Sequence, residues 1–501
     1  MMFATFMEVL DTTVVNVSLP HIAGNLSASV DEATWVLTSY LVANAIILPI
    51  TGWLANYFGR KNLLMLSVGG FTIASLMCGL SVNLPMLIVF RLLQGACGGS
   101  MQPLSQAVLL EAFPPEDRGK AMGFWGLGIV AAPVLGPVLG GWLTDSYSWR
   151  WVFYINLPVG IGAIIMTKLF IFDPPYIKRG AGKVDYWGIG LLALWVGALQ
   201  ILLDKGQEED WFGSNLIRTL FVLFTIALIG FLVRELTARA PVVDLHVFRL
   251  RTYSTGVFLM TLLGFGLYGS LVVLPIWLQT LLGYPATQAG LTLAPRGMGS
   301  MVGMPIVGMI AGRFDNRKLL ACGLAVVGGT MFAFSTMNMN VGYWNLFWPQ
   351  FIQGFGLGLV FVPLTTVTMG PVRREEMGNA TSLFNLMRNV GGSIGIATAT
   401  TLQARYLQKH TNYLVAHVTQ SSQATRHVEN MLNGFWSSGG SGPTQSQQQT
   451  LLSLWGMVQM QASMLSFIDI FRIFTGVFIL MLPLLFLLKR PPRRGGPVAM
   501  H

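Results

Sequence analysis

Charge is scarce in this chain. Only 10% of its 501 residues are Asp, Glu, Lys or Arg, whereas soluble domains run nearer a quarter. That shortage excludes a soluble enzyme of ordinary composition, and a hydrophobic fraction of 53% excludes disorder. Cysteine is scarcer still. Cys78, Cys97 and Cys322 each stand alone in an apolar run, so there is neither a disulfide framework nor a zinc spacing, and all three read as small buried packing residues. The histidines form no metal-ligating pair, so no metal site is expected. No Walker A sequence is present, which argues against direct ATP hydrolysis. One stretch, Gly264-Phe-Gly-Leu-Tyr-Gly269, matches G-x-G-x-x-G letter for letter. It lies inside an apolar run with no strand before it, so its glycines signify close helix packing and no cofactor is expected.

What is abundant is long apolar sequence. A membrane-crossing helix needs about 20 apolar residues, and fourteen such segments can be read. They cover roughly 1–22, 34–55, 63–82, 85–110, 121–143, 150–172, 186–203, 216–235, 252–282, 288–311, 319–337, 344–369, 378–402 and 466–488. The expected fold class is therefore an all-α membrane protein of fourteen transmembrane helices. The net charge of +10 fits this reading, because the basic residues sit in alternate connecting segments. Arg60 and Lys61 open that series, Arg118 and Lys120 follow, and Lys489, Arg490, Arg493 and Arg494 close it. Arg150 and Lys205 are the main exceptions. Positive loops face the cytoplasm, so both termini are expected there and a nucleic-acid role is set aside. A Gln/Ser/Thr/Asn-rich segment at 403–465 reads as a long external loop, either merely solvated or a docking surface for an external partner.

The chain also repeats itself. Gly52-Trp-Leu-Ala-Asn-Tyr-Phe-Gly-Arg-Lys61 resembles Gly308–Arg317 at an offset of 256. Arg91-Leu-Leu-Gln-Gly95 resembles Gln350–Gly354, and Asp117–Ala121 resembles Glu376–Ala380, both at an offset of 259. Two six-helix halves of like orientation, 1–172 and 251–490, are thus expected, with a linker at 173–250 carrying two inserted helices and a basic tail at 491–501. Parallel halves related by an axis along the membrane normal are a transporter architecture with substrate bound between them.

The halves differ where ionisable groups enter the membrane, and such groups are costly enough to need a reason. Asp11 lies about 14 Å below the outer end of the first span, and Glu8 shares its face one turn away. Arg91, Arg296 and Arg388 lie at a depth of about 9–15 Å, so all five are expected to meet in one central cavity. Asp11 and Glu8 are candidate proton carriers, with Arg91 as charge partner, because a carboxyl group whose hydration alternates can load and release a proton. The competing reading is a static ion pair that fixes packing. Arg296 and Arg388, with Asn16, Gln94, Gln350 and Gln353, are candidate substrate contacts. Asp469 and Arg472 read as a structural i, i+3 pair.

At this point the residues resemble a known family. Leu10-Asp-Thr-Thr-Val-Val-Asn-Val-Ser-Leu-Pro20 is similar to the first-helix motif of the fourteen-span drug:proton antiporters of the major facilitator superfamily. Gly52–Lys61 resembles the superfamily's loop motif, Leu87–Gly95 its fourth-helix motif, and Ala131–Gly141 its antiporter motif. Trp348-Pro-Gln-Phe-Ile-Gln-Gly354 and Pro363-Leu-Thr-Thr366 resemble the EmrB branch. The resemblance implies proton-driven export of varied hydrophobic compounds from a bacterial inner membrane, together with a membrane-fusion adaptor and an outer-membrane channel. It carries the acidic role onto Asp11 and the basic role onto Arg91. Pro133, Gly136, Pro137, Gly140 and Gly141 become the helix-bending set. Gly52, Asn56, Gly59, Arg60 and Lys61, with Asp117 and Arg118, become the cytoplasmic gate. Asn56 departs from the motif, which has Asp there, and puts a charge lock at that position in question. Family members carry residues ahead of this helix, whereas Met1 lies ten residues before Asp11, so either an upstream start or a shortened first span is expected. The alternatives carried are a proton-coupled exporter dedicated to one metabolite or lipid-like acid, a channel, and a membrane-embedded enzyme.

Overall fold

A computed structural model describes residues 1–114, 116–173, 184–238, 241–311, 314–419, 421–439 and 442–488. The basic residues expected at 178, 179, 183, 239 and 313, and the tail from 489, lie outside these. Among the described residues every regular element is helical. The first half holds α1 (Met2–Asn25), α2 (Val30–Ala33), α3 (Trp35–Phe58), α4 (Arg60–Gly79), α5 (Leu84–Gly98), α6 (Met101–Ala112), α7 (Arg118–Ser146), α8 (Trp151–Tyr154) and α9 (Asn156–Phe170). Next come α10 (Tyr186–Lys205) and α11 (Asn215–Thr237). The second half holds α12 (Arg251–Thr280), α13 (Ala286–Ile310), α14 (Asn316–Phe334), α15 (Tyr343–Met369), α16 (Met377–His417), α17 (Gln423–Ser438) and α18 (Pro443–Leu484).

Eleven helical segments among the described residues are long and apolar enough to cross a membrane, with α5 and α6 joined as one and α8 and α9 as another. Three more long helices, α7, α13 and α16, fall outside that set. They are rich in Gly, Pro or polar residues, which suits them to packing between other helices. Proline does not interrupt α7, which runs unbroken through Pro133 and Pro137.

The segment 403–465, read as a long external loop, is largely helical. The end of α16, all of α17 and the start of α18 occupy it. Gln, Ala, Leu and Met favour helix even where the sequence is polar. With 41 and 42 residues, α16 and α18 each run about 60 Å, twice the hydrocarbon thickness of roughly 30 Å. Trp436 of α17 donates Nε1–H to Ser453 Oγ of α18 at 3.2 Å and folds α17 back on α18. His410 of α16 meets Asp469 Oδ2 at 2.9 Å, which adds a cross-helix partner to the expected Asp469–Arg472 pair.

The halves meet along α3 with α16 and α7 with α13. The tightest approach is at the end carrying Arg60. A Cβ on Gly52 would lie 2.6 Å from the backbone nitrogen of Asn379, so only glycine lets α3 and α16 touch here. The inserted pair α10–α11 bonds to both halves at the opposite end. Thr38 donates to Asp204, and Lys205 Nζ donates to Thr34 Oγ1 at 2.8 Å. Toward the second half, Ser393 donates to Gln200 at 3.0 Å and Trp211 to Thr401 at 3.1 Å. Of the cysteines, Cys78 is buried, Cys97 half-buried and Cys322 exposed, so the packing role fails for Cys322.

Candidate transport site

Asp11 is fully buried, and its carboxylate is the hub of the first half. Arg91 Nη1 donates to Oδ2 at 2.5 Å, Gln94 Nε2 to Oδ1 at 2.9 Å and Asn156 Nδ2 to Oδ1 at 2.8 Å. Four elements converge here: α1 brings the acid, α5 brings Arg91 and Gln94 one turn apart, α9 brings Asn156, and α3 supplies the cover. From α3, the Val36 carbonyl accepts from Arg91 Nε at 3.0 Å, and the Tyr40 ring lies 4.2 Å from the guanidinium. A buried charge is tolerable only when paired and hydrogen-bonded, and this one is both.

Glu8, one turn before Asp11, is also buried. It accepts from Asn44 Nδ2 at 2.9 Å and lies within electrostatic reach of Arg388 in the second half. Arg388 reaches back to donate to Gln102 of α6, and one turn away Asn385 Nδ2 donates to Gln106 Oε1 at 2.6 Å. Polar side chains therefore bridge the halves beside Glu8. Arg388 also lines a small cavity of about 40 Å³ between α7, α12, α13 and α15. The remaining lining is apolar and soft, with Met260, Leu267, Tyr268, Met304 and Phe361 among it.

The expectation that all five ionisable groups share one cavity is corrected. Asp11 and Arg91 close on each other inside the first half. Arg296 is buried in the second half and donates Nη2–H to Ser270 Oγ at 3.1 Å. Arg388 alone of the five lines the cavity. Gln94 is spent on Asp11 and Arg91. Gln350 and Gln353 are fully buried in α15 away from the cavity lining, and Gln353 donates toward Met331 Sδ at 3.8 Å. Asn16 is exposed and adds nothing to the cavity lining.

The gate residues gather at the Arg60 end. Gly59, at φ 86°, turns the chain sharply from α3 into α4. Arg60 forms a buried ion pair with Glu111 of α6. The backbone N–H of Lys61 donates to Asp173 at 2.8 Å and its Nζ donates to the Lys168 carbonyl at 2.7 Å, while Asp117 pairs with Lys120 at 2.7 Å. Arg118 is buried near Glu111 and Arg374. Asn56 is exposed, and the buried ion pair at this end is Arg60 with Glu111. Among the glycines of α7, a Cβ on Gly136 would collide with Thr13 Oγ1 of α1, and one on Gly140 would lie 2.8 Å from the Val14 carbonyl. Gly141 is the exception, with open space where its Cβ would be, so close packing does not explain it.

Sequence reasoning missed Glu111, Asn156, Tyr40, Asn44 and Gln102. A polar residue inside an apolar run was the available signal for all five, but it does not say which helices meet.

Residues 1–396 match the Major Facilitator Superfamily. The chain is 37% identical over 494 residues to the multidrug export protein EmrB of Escherichia coli K12, covering 98% of this chain and 95% of that one. It is 38% identical over 495 residues to the fatty acid resistance protein FarB of Neisseria gonorrhoeae, covering 98% and 96%. The colistin resistance protein EmrB of Acinetobacter baumannii is 30% identical over 485 residues, covering 94% and 92%. In fold the chain is similar to the human organic anion transporter MFSD10, with a TM-score of 0.61 at 13% identity over 97% of both chains. Helical halves closing on a buried acid and an apolar cavity, and relatives aligned nearly end to end, lead to one assignment: this chain belongs to the major facilitator superfamily of membrane transporters and groups there with the EmrB-type proteins.

Proposed function

We propose that this protein is a fourteen-span, proton-driven multidrug exporter of a bacterial inner membrane, with its Arg60 end in the cytoplasm. The multidrug part rests on its likeness to the EmrB multidrug export proteins and on a small cavity whose methionine and aromatic lining can re-pack around varied apolar shapes. One observation carries the coupling: the Asp11 carboxylate is held by Arg91, Gln94 and Asn156, fully buried, in one half only. Its counterpart in the repeat is apolar, so architecture alone does not require it. A proton on Asp11 cancels the charge that fixes Arg91 and loosens the packing of α1 on α5. A proton on Glu8 cancels its attraction for Arg388, weakening the bridge between the halves beside the cavity. Protonation thus favours separation of the halves at the Arg60 end, and proton loss favours the closed arrangement described here. Drug enters the cavity from the cytoplasmic side and leaves on the other as protons move inward.

The same reading gives the adaptor and outer-membrane channel a place to attach. The helical extension of α16, α17 and α18 carries exposed Tyr413, Met431, Phe435, Leu452 and Trp455 beyond the length a bilayer covers.

The test uses everted vesicles containing the protein, an acidified lumen and ethidium outside. Ethidium uptake that dissipates the proton gradient, recorded by a lumenal pH dye, is the expected result. Ethidium uptake with no movement of protons would overturn the coupling. Failure to move ethidium, a second cationic dye and a neutral drug alike would overturn the multidrug reading.

A further inference from the structure

The centre of the second half repeats that of the first, with one group missing. In the first half α5 crosses α3 where a Cβ on Gly95 would strike the Tyr40 carbonyl. In the second half α15 crosses α13 where a Cβ on Gly354 would strike the Arg296 carbonyl. The two crossings are related by the sequence offsets of 259 and 256. The correspondence sets Gln350 opposite Arg91, Gln353 opposite Gln94 and Arg296 opposite Tyr40. Asp11 corresponds to Leu267. The first half therefore surrounds a carboxylate with donors. The second assembles donors around a place where the chain supplies none.

The donors there are unsatisfied. Arg296 is 5% exposed, and its one hydrogen bond among the described residues goes to Ser270 Oγ, with Nε left unpaired. No described carboxylate forms an ion pair with it. Gln350 is fully buried with its Nε2 donor and its Oε1 acceptor both unpaired, and Gln353 keeps one unpaired acceptor, Oε1. A lone buried guanidinium is among the costliest groups a protein can hold, and an anion is what removes that cost. Tyr40 touches Arg91 across the first crossing, so the repeat places Arg296 beside Gln350 across the second.

We propose that the second half holds a buried site for one singly charged anion, centred on Arg296 with Ser270 and Gln350 as neutral partners. One guanidinium charge among neutral partners takes a monoanion. A free halide and the carboxylate head of a lipophilic cargo share this chemistry. The cargo case rests on the export reading above; the halide case does not.

The experiment follows thermal unfolding of the purified full chain in detergent, in sodium gluconate, whose anion is too bulky and hydrated to enter. Chloride replaces gluconate in one arm, and decanoate below its micelle concentration is added in the other. A rise in unfolding midpoint of about 3 °C or more with either anion is expected for the intact chain. Arg296→Gln loses the rise, and Arg296→Lys keeps part of it. A rise with chloride alone assigns the halide, and a rise with decanoate assigns the cargo head. No rise with either anion, or an equal rise in Arg296→Gln, overturns the site. If Arg296→Gln does not fold, Gln350→Leu serves, with at least a tenfold weaker anion dependence expected and an unchanged dependence contradicting the proposal. Ethidium export by the intact chain is recorded alongside. Export without an anion effect sinks this site and leaves the export reading standing, while an anion effect without export does the reverse.

Discussion

Asp11 and Arg91 illustrate what a buried ion pair costs and gives. Each has been taken fully out of water, and each is tolerable only because the other is there. Arg91→Met leaves the Asp11 carboxylate buried without its guanidinium and is expected to destabilise the protein by about 3–5 kcal/mol. Asp11→Asn combined with Arg91→Met removes both charges and should recover most of that loss, while gradient-driven transport stays absent. Denaturation of the three proteins in detergent checks this. A double variant no more stable than Arg91→Met alone would show that the pair is not what holds these helices. The pairing itself was legible from the sequence, because two opposite charges at similar depth in apolar runs have few other solutions. The depth argument erred by grouping Arg296 and Arg388 with them. Depth fixes height along a helix, whereas the side a residue faces depends on which helices surround it.

Helix contacts depend on single missing methyl groups. Gly136 lets α7 lie against Thr13 of α1, and any Cβ there must push the helices apart. Gly136→Ala is expected to cost about 1–3 kcal/mol by overpacking and to reduce dye export several-fold. Gly141→Ala meets open space and should stay within about 0.5 kcal/mol of the parent. Unfolding midpoints measured side by side decide it, and equal losses at the two positions would contradict the packing account. The motif was legible as a set, but the sequence gives no means of telling its packed members from Gly141. The order of the segment at 403–465 was illegible for a related reason. Its polarity signals solvent, but a helix longer than the bilayer is polar wherever it leaves the membrane, just as a loop is. Replacing residues 423–438 of α17 with a short Gly/Ser linker is expected to leave dye export in vesicles intact and to abolish drug resistance in whole cells. Resistance that survives in cells would remove α17 from any partner contact.

At the scale of the molecule, two halves of common ancestry have come to carry different charges. The all-helical transporter architecture could be read from offsets and hydropathy. The bonds from α10 and α11 to both halves could not, since Gln200, Trp211, Ser393 and Thr401 are unremarkable in sequence and acquire meaning only as partners. The halves are closed where Gly52 meets Asn379, with Glu8 within electrostatic reach of Arg388, which lines the cavity. In the proposed mechanism, closure and protonation are linked through these side chains. The most direct measurement of that link compares the intact chain with Asp11→Asn in proteoliposomes, recording dye exchange without a gradient and dye accumulation with one. The account predicts that the variant still exchanges dye across the membrane but that its gradient-driven accumulation falls at least tenfold. Accumulation undiminished in Asp11→Asn would contradict it and remove Asp11 as the coupling group.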